Sequence, residues 1–371
     1  MDRMFILATC AGLALAFGVY KYKSSQRGAN SSLAVSSAAS SAMSSAASSA
    51  MSSAMDSSGA SNSARSPTSR GSCRLEDLRL RLPVNGAAGK DWEIANYFDS
   101  QPAVSKVRDY MGNSGQDAVT YDGHAGIDFE LPSFRPMDSG FPVLAAADGV
   151  VEGAFDQAPD RNRTCVKEEG NHVKLRHANG FATIYEHLRR DSIVVRVGDR
   201  VSAGMPLGLV GSSGCSSFPH LHLELVDCYG HSLDVMGERM FEAPPVYARS
   251  MPATVMETTL FQPAIHDMSN VMEPGTTDLN QITAGYEASI GVTVANMKAG
   301  DIIRIEFLSP NNSPAPFVFE QQLSNFHTRT HWWYNFQLDK PGRWLARISV
   351  NGRLQIDRPI LATGHGASKG E

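Results

Sequence analysis

The sequence predicts an all-β protein, and three observations carry that expectation. From about residue 78, Gly and Pro recur between short β-branched runs such as "FPVLAAADGVVEGAF", "NHVKLRHANGFATIYEHL" and "SIVVRVGDRVSAGMPLGLVGSSG". That is the pattern of short strands separated by frequent turns. After Pro244, apolar and polar residues alternate in "AGDIIRIEFLSP", "HWWYNFQLDKPGRW" and "LARISVNGRLQIDRPI", cut by NNSP, DKPG and NG turns, which suits a small β-sandwich. In "FPHLHLEL", Leu221, Leu223 and Leu225 alternate with His220, His222 and Glu224. On a strand the leucines share one face and the three polar residues share the other. Helix is expected only in "DWEIANYF" and "PAVSKVRDYM", at the periphery.

Taken in order, residues 1–27 open with Arg3, a continuous apolar run from Met4 to Tyr20, then Lys21 and Lys23. This reads as a signal peptide or a membrane anchor through residues 4–20, and places the chain outside the cytoplasm, in the periplasm or cell envelope. Residues 28–72 are dominated by Ser and Ala, with the near-repeat "SSAASSAMSSAASSAMSSAM". They offer little to bury against the entropy of ordering and read as a flexible linker. Residues 73–245 form the first folded unit, residues 246–364 the sandwich, and 365–371 a disordered tail. The formal net charge is −5 and no cluster of Lys and Arg is present, so nucleic acid is excluded as a partner.

The two histidines of "HLH" prove little alone, because 11 histidines in 371 residues give about one third of such a pair by chance. Partners lie upstream in "YDGHAGIDFELP", where His124 and Asp128 are four apart. On a flat strand their side chains would stand roughly 13 Å apart, so the backbone must turn if both grip one ion. Gly123 and Gly126 permit that turn. A histidine, a carboxylate and one histidine of the later pair form the nitrogen and oxygen ligand set of a catalytic zinc with one position left open.

These elements resemble the lysostaphin-type (LytM-like) zinc metallopeptidases, which cleave peptides in peptidoglycan. The resemblance rests on "HAGID", "YEHL" and "HLH" in that order, with matching blocks between them over roughly residues 80–235. It implies an all-β LytM-type (duplicated hybrid motif) peptidase domain and one Zn2+ per chain. By position it implies His124, Asp128 and His222 as metal ligands, and His187 and His220 as catalytic residues. It also implies peptidoglycan peptides as substrate and cell-wall remodelling or lysis as function. The alternative is a non-catalytic LytM-type module that binds the wall and activates another hydrolase. A biotinyl or lipoyl carrier, suggested by the rhythm of "VGDRVSAGMPLG", lacks an exposed lysine at a hairpin tip.

Of the remaining histidines, His172 and His177 are expected to be structural or surface residues. Trp332 and Trp333 could stack on carbohydrate, but adjacent strand residues face opposite ways, which assigns one of them to a core. Apart from Cys10, the cysteines are Cys73, Cys165, Cys215 and Cys228. An even number in an exported chain favours disulfides, with three possible pairings. A Cys215–Cys228 bridge would clamp the "HLH" hairpin and leave Cys73 with Cys165.

Overall fold

The computed structural model describes residues 75, 78–102, 106–162, 169–275, 278–311 and 313–364. The expected anchor, the Ser/Ala linker, Cys73, Cys165 and the tail lie outside them. Among the described residues no helix is long and apolar enough to cross a membrane.

The first half is built from β1 (Glu93–Asn96), β2 (Ile127–Glu130), the short helix α1 (Phe134–Ser139), β3 (Pro142–Leu144), β4 (Gly149–Phe155), β5 (His172–Arg176), β6 (Ala182–Glu186), β7 (Arg200–Val201), β8 (Pro206–Leu209), β9 (His220–Val226) and β10 (Ser232–Leu233). One sheet runs β1-β2-β9-β6-β5-β4-β7 with β10 on the side of β9, and β3 pairs with β8. Its strands pair antiparallel. The alternation in β9 does what its sequence requires. Leu221, Leu223 and Leu225 are fully buried in an apolar cluster with Ile127, Phe129, Val173 and Leu175. Each such side chain contributes about 1.5–3 kcal/mol by leaving water, which anchors the strand and leaves its other face for polar groups.

The helix expected in "DWEIANYF" is not formed. Glu93–Asn96 is instead the edge strand β1, paired with β2 through Glu93↔Glu130 and Ile94↔Phe129. Trp92 and Tyr97 flank it and are fully buried. Pairing with an already buried strand outweighs the local helical preference, as tertiary context commonly does. "PAVSKVRDYM" contains no helix among its described residues either.

The second half comprises β11 (Thr254–Phe261), the one-turn helix α2 (Ser269–Met272), β12 (Gln281–Thr283), β13 (Glu287–Met297), β14 (Ile302–Leu308), β15 (Pro314–Gln322), β16 (His327–Gln337), β17 (Gly342–Val350) and β18 (Arg353–Thr363). A three-stranded sheet, β11-β13-β16, and a five-stranded sheet, β12-β18-β17-β14-β15, contribute to one apolar cluster. Val292, Trp332 and Phe336 come from the first, Ile305, Trp344 and Ile360 from the second. The tryptophan pair divides as strand geometry demands. Trp332 belongs to this cluster, while Trp333 belongs to that of the first half, with Ile265, Met268, Val271 and Met272. Both indoles are buried, so neither forms an exposed stacking platform.

Polar contacts seal the junction between the halves. Arg135 of α1 pairs with Glu257 at 2.8 Å and donates to the Gly275 carbonyl. Arg161 reaches Glu273 at 3.4 Å and Asp138 at 2.8 Å. On β16, Arg329 pairs with Glu130 and lies 3.8 Å from Glu93. Glu93 is fully buried and neither of its carboxyl oxygens is hydrogen-bonded. Burial pushes its carboxyl up to about 8 against the pull of Arg329. The native state therefore keeps this proton while the unfolded chain releases it above the usual carboxylate range, so stability falls as pH rises toward 8. Urea midpoints between pH 5 and 8 should decline more steeply for the wild type than for Glu93→Gln. Parallel declines would contradict the assignment.

Candidate metal centre

The polar face of β9 meets β2 in antiparallel register, with Asp128 opposite His222 and Glu130 opposite His220. On the other side of β9, Glu186 of β6 stands opposite His222. His124 enters from the turn before β2, where its backbone N–H closes back onto the Tyr121 carbonyl. The turn required by the four-residue spacing comes after it, as a bend at Gly126 between His124 and Asp128. It brings His124 Nε2 to 3.1 Å from Asp128 Oδ1 and 3.1 Å from His222 Nδ1, and His222 Nδ1 is 2.9 Å from the same oxygen. All three residues are buried.

Gly126 makes this approach possible. A Cβ there would lie 2.4 Å from the Leu223 carbonyl oxygen and 2.8 Å from the His222 ring. Backbone partners then set the protonation of each ring. His124 Nδ1–H donates to the Tyr97 carbonyl at 2.7 Å. Because a carbonyl only accepts, the Nε2 lone pair is left facing Asp128. Asn96 Nδ2 donates to Asp128 Oδ2 at 2.9 Å and orients Oδ1 toward the histidines. These two supports come from the last residue of β1 and the residue that follows it, positions that a helix over "DWEIANYF" would not bring to the site. The Asn-Tyr step after Trp92 and Ile94 on a strand would have been the only sequence signal.

His187 and His220 stand beside this triangle. His187 follows β6 with φ 61°, a left-handed conformation that is uncommon for a non-glycine residue and concentrates at functional sites. Its Nδ1–H donates to the Ser213 carbonyl at 2.8 Å. His220 Nδ1–H donates to the Phe218 carbonyl at 2.8 Å, and its Nε2 lies 3.8 Å from Asp128 Oδ1. The two rings are 4.5 Å apart between centroids. Each is thus held as the Nδ1–H tautomer with Nε2 available.

The electrostatics follow from this packing. Burial would raise the Asp128 carboxyl, but the imidazoles of His124, His220 and His222 packed around it hold it well below the usual range. Burial opposes charge on His222 too, yet the hydrogen bond and charge of Asp128 outweigh it and push the imidazole up to about 9. Burial, followed by repulsion from His220 and His222, brings His187 down to about 3. His220 is lowered as well, chiefly by burial. Burial raises Glu224, which bonds to the Ser232 hydroxyl, out on the same face.

The structure therefore brings His124, Asp128, His187, His220 and His222 into one cluster. His177 is a structural residue: its Nδ1 bonds to the Asp148 carbonyl and its Nε2 to Thr183. His172 is buried, with its Nδ1 on the Gly170 carbonyl. Cys215 and Cys228 are each disulfide-bonded, and Cys73 and Cys165 lie outside the described residues.

A comparison with protein families decides the affiliation: residues 122–235, which contain all five clustered side chains, match the profile described as Peptidase family M23. This segment is an M23 peptidase domain. Its relatives include the peptidoglycan DD-endopeptidase ShyA of Vibrio cholerae, 38% identical over 155 residues that make up 41% of this chain and 28% of that protein. The DD-carboxypeptidase/endopeptidase Mpg of Neisseria meningitidis is 37% identical over 110 residues, 28% of this chain and 20% of its own. Among solved structures, a zinc-containing peptidase from Vibrio cholerae aligns at 26% identity and a TM-score of 0.30, covering 43% of this chain and 39% of its own. The chain thus matches less than a third of the length of these curated relatives.

His124, Asp128 and His222 are the described residues whose ligand atoms converge within 4.8 Å as a potential metal cage. A triangle of three lone-pair atoms is poorly satisfied by the single proton His222 can bring and well satisfied by one cation. Two imidazoles and a carboxylate, free of sulfur, match the donors zinc takes in hydrolytic sites.

Proposed function

We propose that the chain is a zinc-dependent metalloendopeptidase that hydrolyses peptide cross-links of bacterial peptidoglycan. The observation that carries this reading is the buried His124–Asp128–His222 triangle with the His187 and His220 rings beside it, inside an M23 domain. Similarity to proteins named peptidoglycan DD-endopeptidases supports the substrate class.

His124 through Nε2, Asp128 through Oδ1 and His222 through Nδ1 would hold the zinc. A zinc ion there supplies Lewis acidity, polarising the scissile carbonyl and making water a stronger acid. The chain's own residues do the rest. Among the described residues no glutamate is hydrogen-bonded into the triangle, so the proton of the attacking water falls to a histidine. His187 and His220 both offer a neutral Nε2, and each keeps its Nδ1–H on a backbone carbonyl, so a proton gained at Nε2 leaves the ring oriented. One accepts that proton at Nε2 as the water oxygen bonds to the carbonyl carbon and returns it to the amine nitrogen as the C–N bond breaks, ending neutral; the other accepts a hydrogen bond at Nε2 from the water's second hydrogen and orients it. Asn96 and the Tyr97 carbonyl keep the ligand atoms aimed. We further propose residues 73–245 as the peptidase unit, residues 246–364 as an accessory unit, and the cell envelope as the place of action. The apolar run 4–20 and the wall-directed relatives support that location.

Purified full-length protein incubated with sacculi should convert cross-linked muropeptides into monomers. It should stop on chelation and recover with one equivalent of zinc. Folded, zinc-loaded protein that leaves cross-linked species intact would refute the reading.

A further inference from the structure

The residues that position His220 do not all lie in the M23 domain. His220 is delivered by the segment Ser216–Pro219. Its Nδ1–H bond ends on the Phe218 carbonyl, which also accepts from the Ser216 hydroxyl at 2.7 Å. Phe218 is buried, and its ring sits in a box whose walls come from both halves of the chain. Phe134 of α1 meets it edge-on at 5.4 Å between centroids. The Arg329 guanidinium covers it at 3.6 Å, and His331 lies 5.6 Å away. Arg329 and His331 both belong to β16, on the side that carries Trp333 into the core of the first half.

Arg329 makes two further contacts that bear on the same histidine. It pairs with Glu130, the cross-strand neighbour of His220. It also donates to the Leu131 carbonyl at 3.3 Å, while the Leu131 N–H donates to the Pro219 carbonyl at 3.0 Å. One planar cation thus fixes the ring of Phe218, the strand opposite His220 and the residue that ties down Pro219. Arginine suits this role because its flat guanidinium can stack on a ring while its edge serves carboxylate and carbonyl groups.

We propose that Arg329 is a positioning residue for the hydrolytic site, clamping Phe218 so that its carbonyl holds His220 with Nε2 turned to the His124–Asp128–His222 triangle. The inference rests on the peptidase reading for its kinetic consequence, though not for its structural one. It makes the second half of the chain part of the catalytic architecture: β16 supplies the back wall of the loop that carries His220.

The test uses the full chain, zinc-loaded, in four forms: wild type, Arg329→Lys, Phe218→Leu and Arg347→Lys. Arg329→Lys keeps the charge beside Glu130 and Glu93 but loses the flat face. Phe218→Leu removes the clamped ring and leaves Arg329 in place, and stands in if the lysine variant does not fold. Arg347→Lys alters an exposed pair with Asp357 and serves as control. Imidazole 15N spectra should show His220 as the Nδ1–H tautomer in wild type and control, and a loss of that signal in the other two. On a soluble cross-linked muropeptide, kcat should fall about tenfold in those two, with KM changed less than about twofold and zinc still near one per chain. An unchanged His220 signal in the folded variants, or its absence from the wild type, overturns the proposal whatever the rates. A wild type without hydrolysis would refute the peptidase reading while the spectra still judge the clamp.

Discussion

Asp128→Asn is expected to leave the fold intact and to lower zinc affinity at least ~100-fold, with hydrolysis lost in parallel. The replacement is nearly isosteric, so the packing around β2 survives. The carboxylate, however, is the only negative group in a triangle that otherwise contains two imidazoles. It accepts from Asn96 on one oxygen and faces both histidines with the other. An amide cannot satisfy both sides: whichever way it turns, an N–H points at Asn96 or at the cation. Equilibrium dialysis, with circular dichroism to verify the fold, checks this. Full zinc affinity in a folded Asp128→Asn protein would remove Asp128 from the ligand set.

Gly126→Ala should be as damaging to function through a single methyl group. The added carbon would meet the Leu223 carbonyl oxygen at 2.4 Å, well inside contact distance, and the His222 ring at 2.8 Å. Neither can yield cheaply. The carbonyl belongs to the central strand β9, whose leucines are fully buried, and the ring is pinned between Asp128 and His124. Opening β2 from β9 by a few tenths of an ångström would separate Asp128 from His222. A loss of about 1–3 kcal/mol of stability is expected, typical of overpacking, together with weakened zinc binding. The comparison that matters is with Gly123→Ala. At Gly123 a Cβ meets nothing within 4 Å, although φ is +78°, so that variant bears backbone strain without the ring clash. Equal zinc affinity in the two variants would show that Gly126 has no special part in shaping the site.

The site was more legible in the sequence than its supports. Ligand spacing is local information: H-x-x-x-D with glycines and H-x-H on an alternating strand state their geometry directly, and the structure brings those residues together. The supports are long-range. Asn96 and the Tyr97 carbonyl reach the site only because "DWEIANYF" joins the sheet as an edge strand, a choice made by the buried face of β2 rather than by the segment's own propensity. The left-handed turn at His187 left no mark in the sequence, since histidine gives no sign of positive φ as glycine would. Trp332 and Trp333 show the intermediate case. Alternation predicted that they part, but only the fold shows that Trp333 enters the core of the first half. The Phe218–Arg329 contact spans 111 positions and could not be anticipated from either segment.

Zinc K-edge absorption of the full-length protein with one equivalent of zinc tests the central claim most directly. Coordination by two imidazole nitrogens and a carboxylate oxygen at about 2.0–2.2 Å, with no sulfur, is the predicted result. That signature should vanish in His222→Ala. A sulfur shell near ~2.3 Å, or a spectrum indistinguishable from free aqueous zinc in a folded protein, would contradict it.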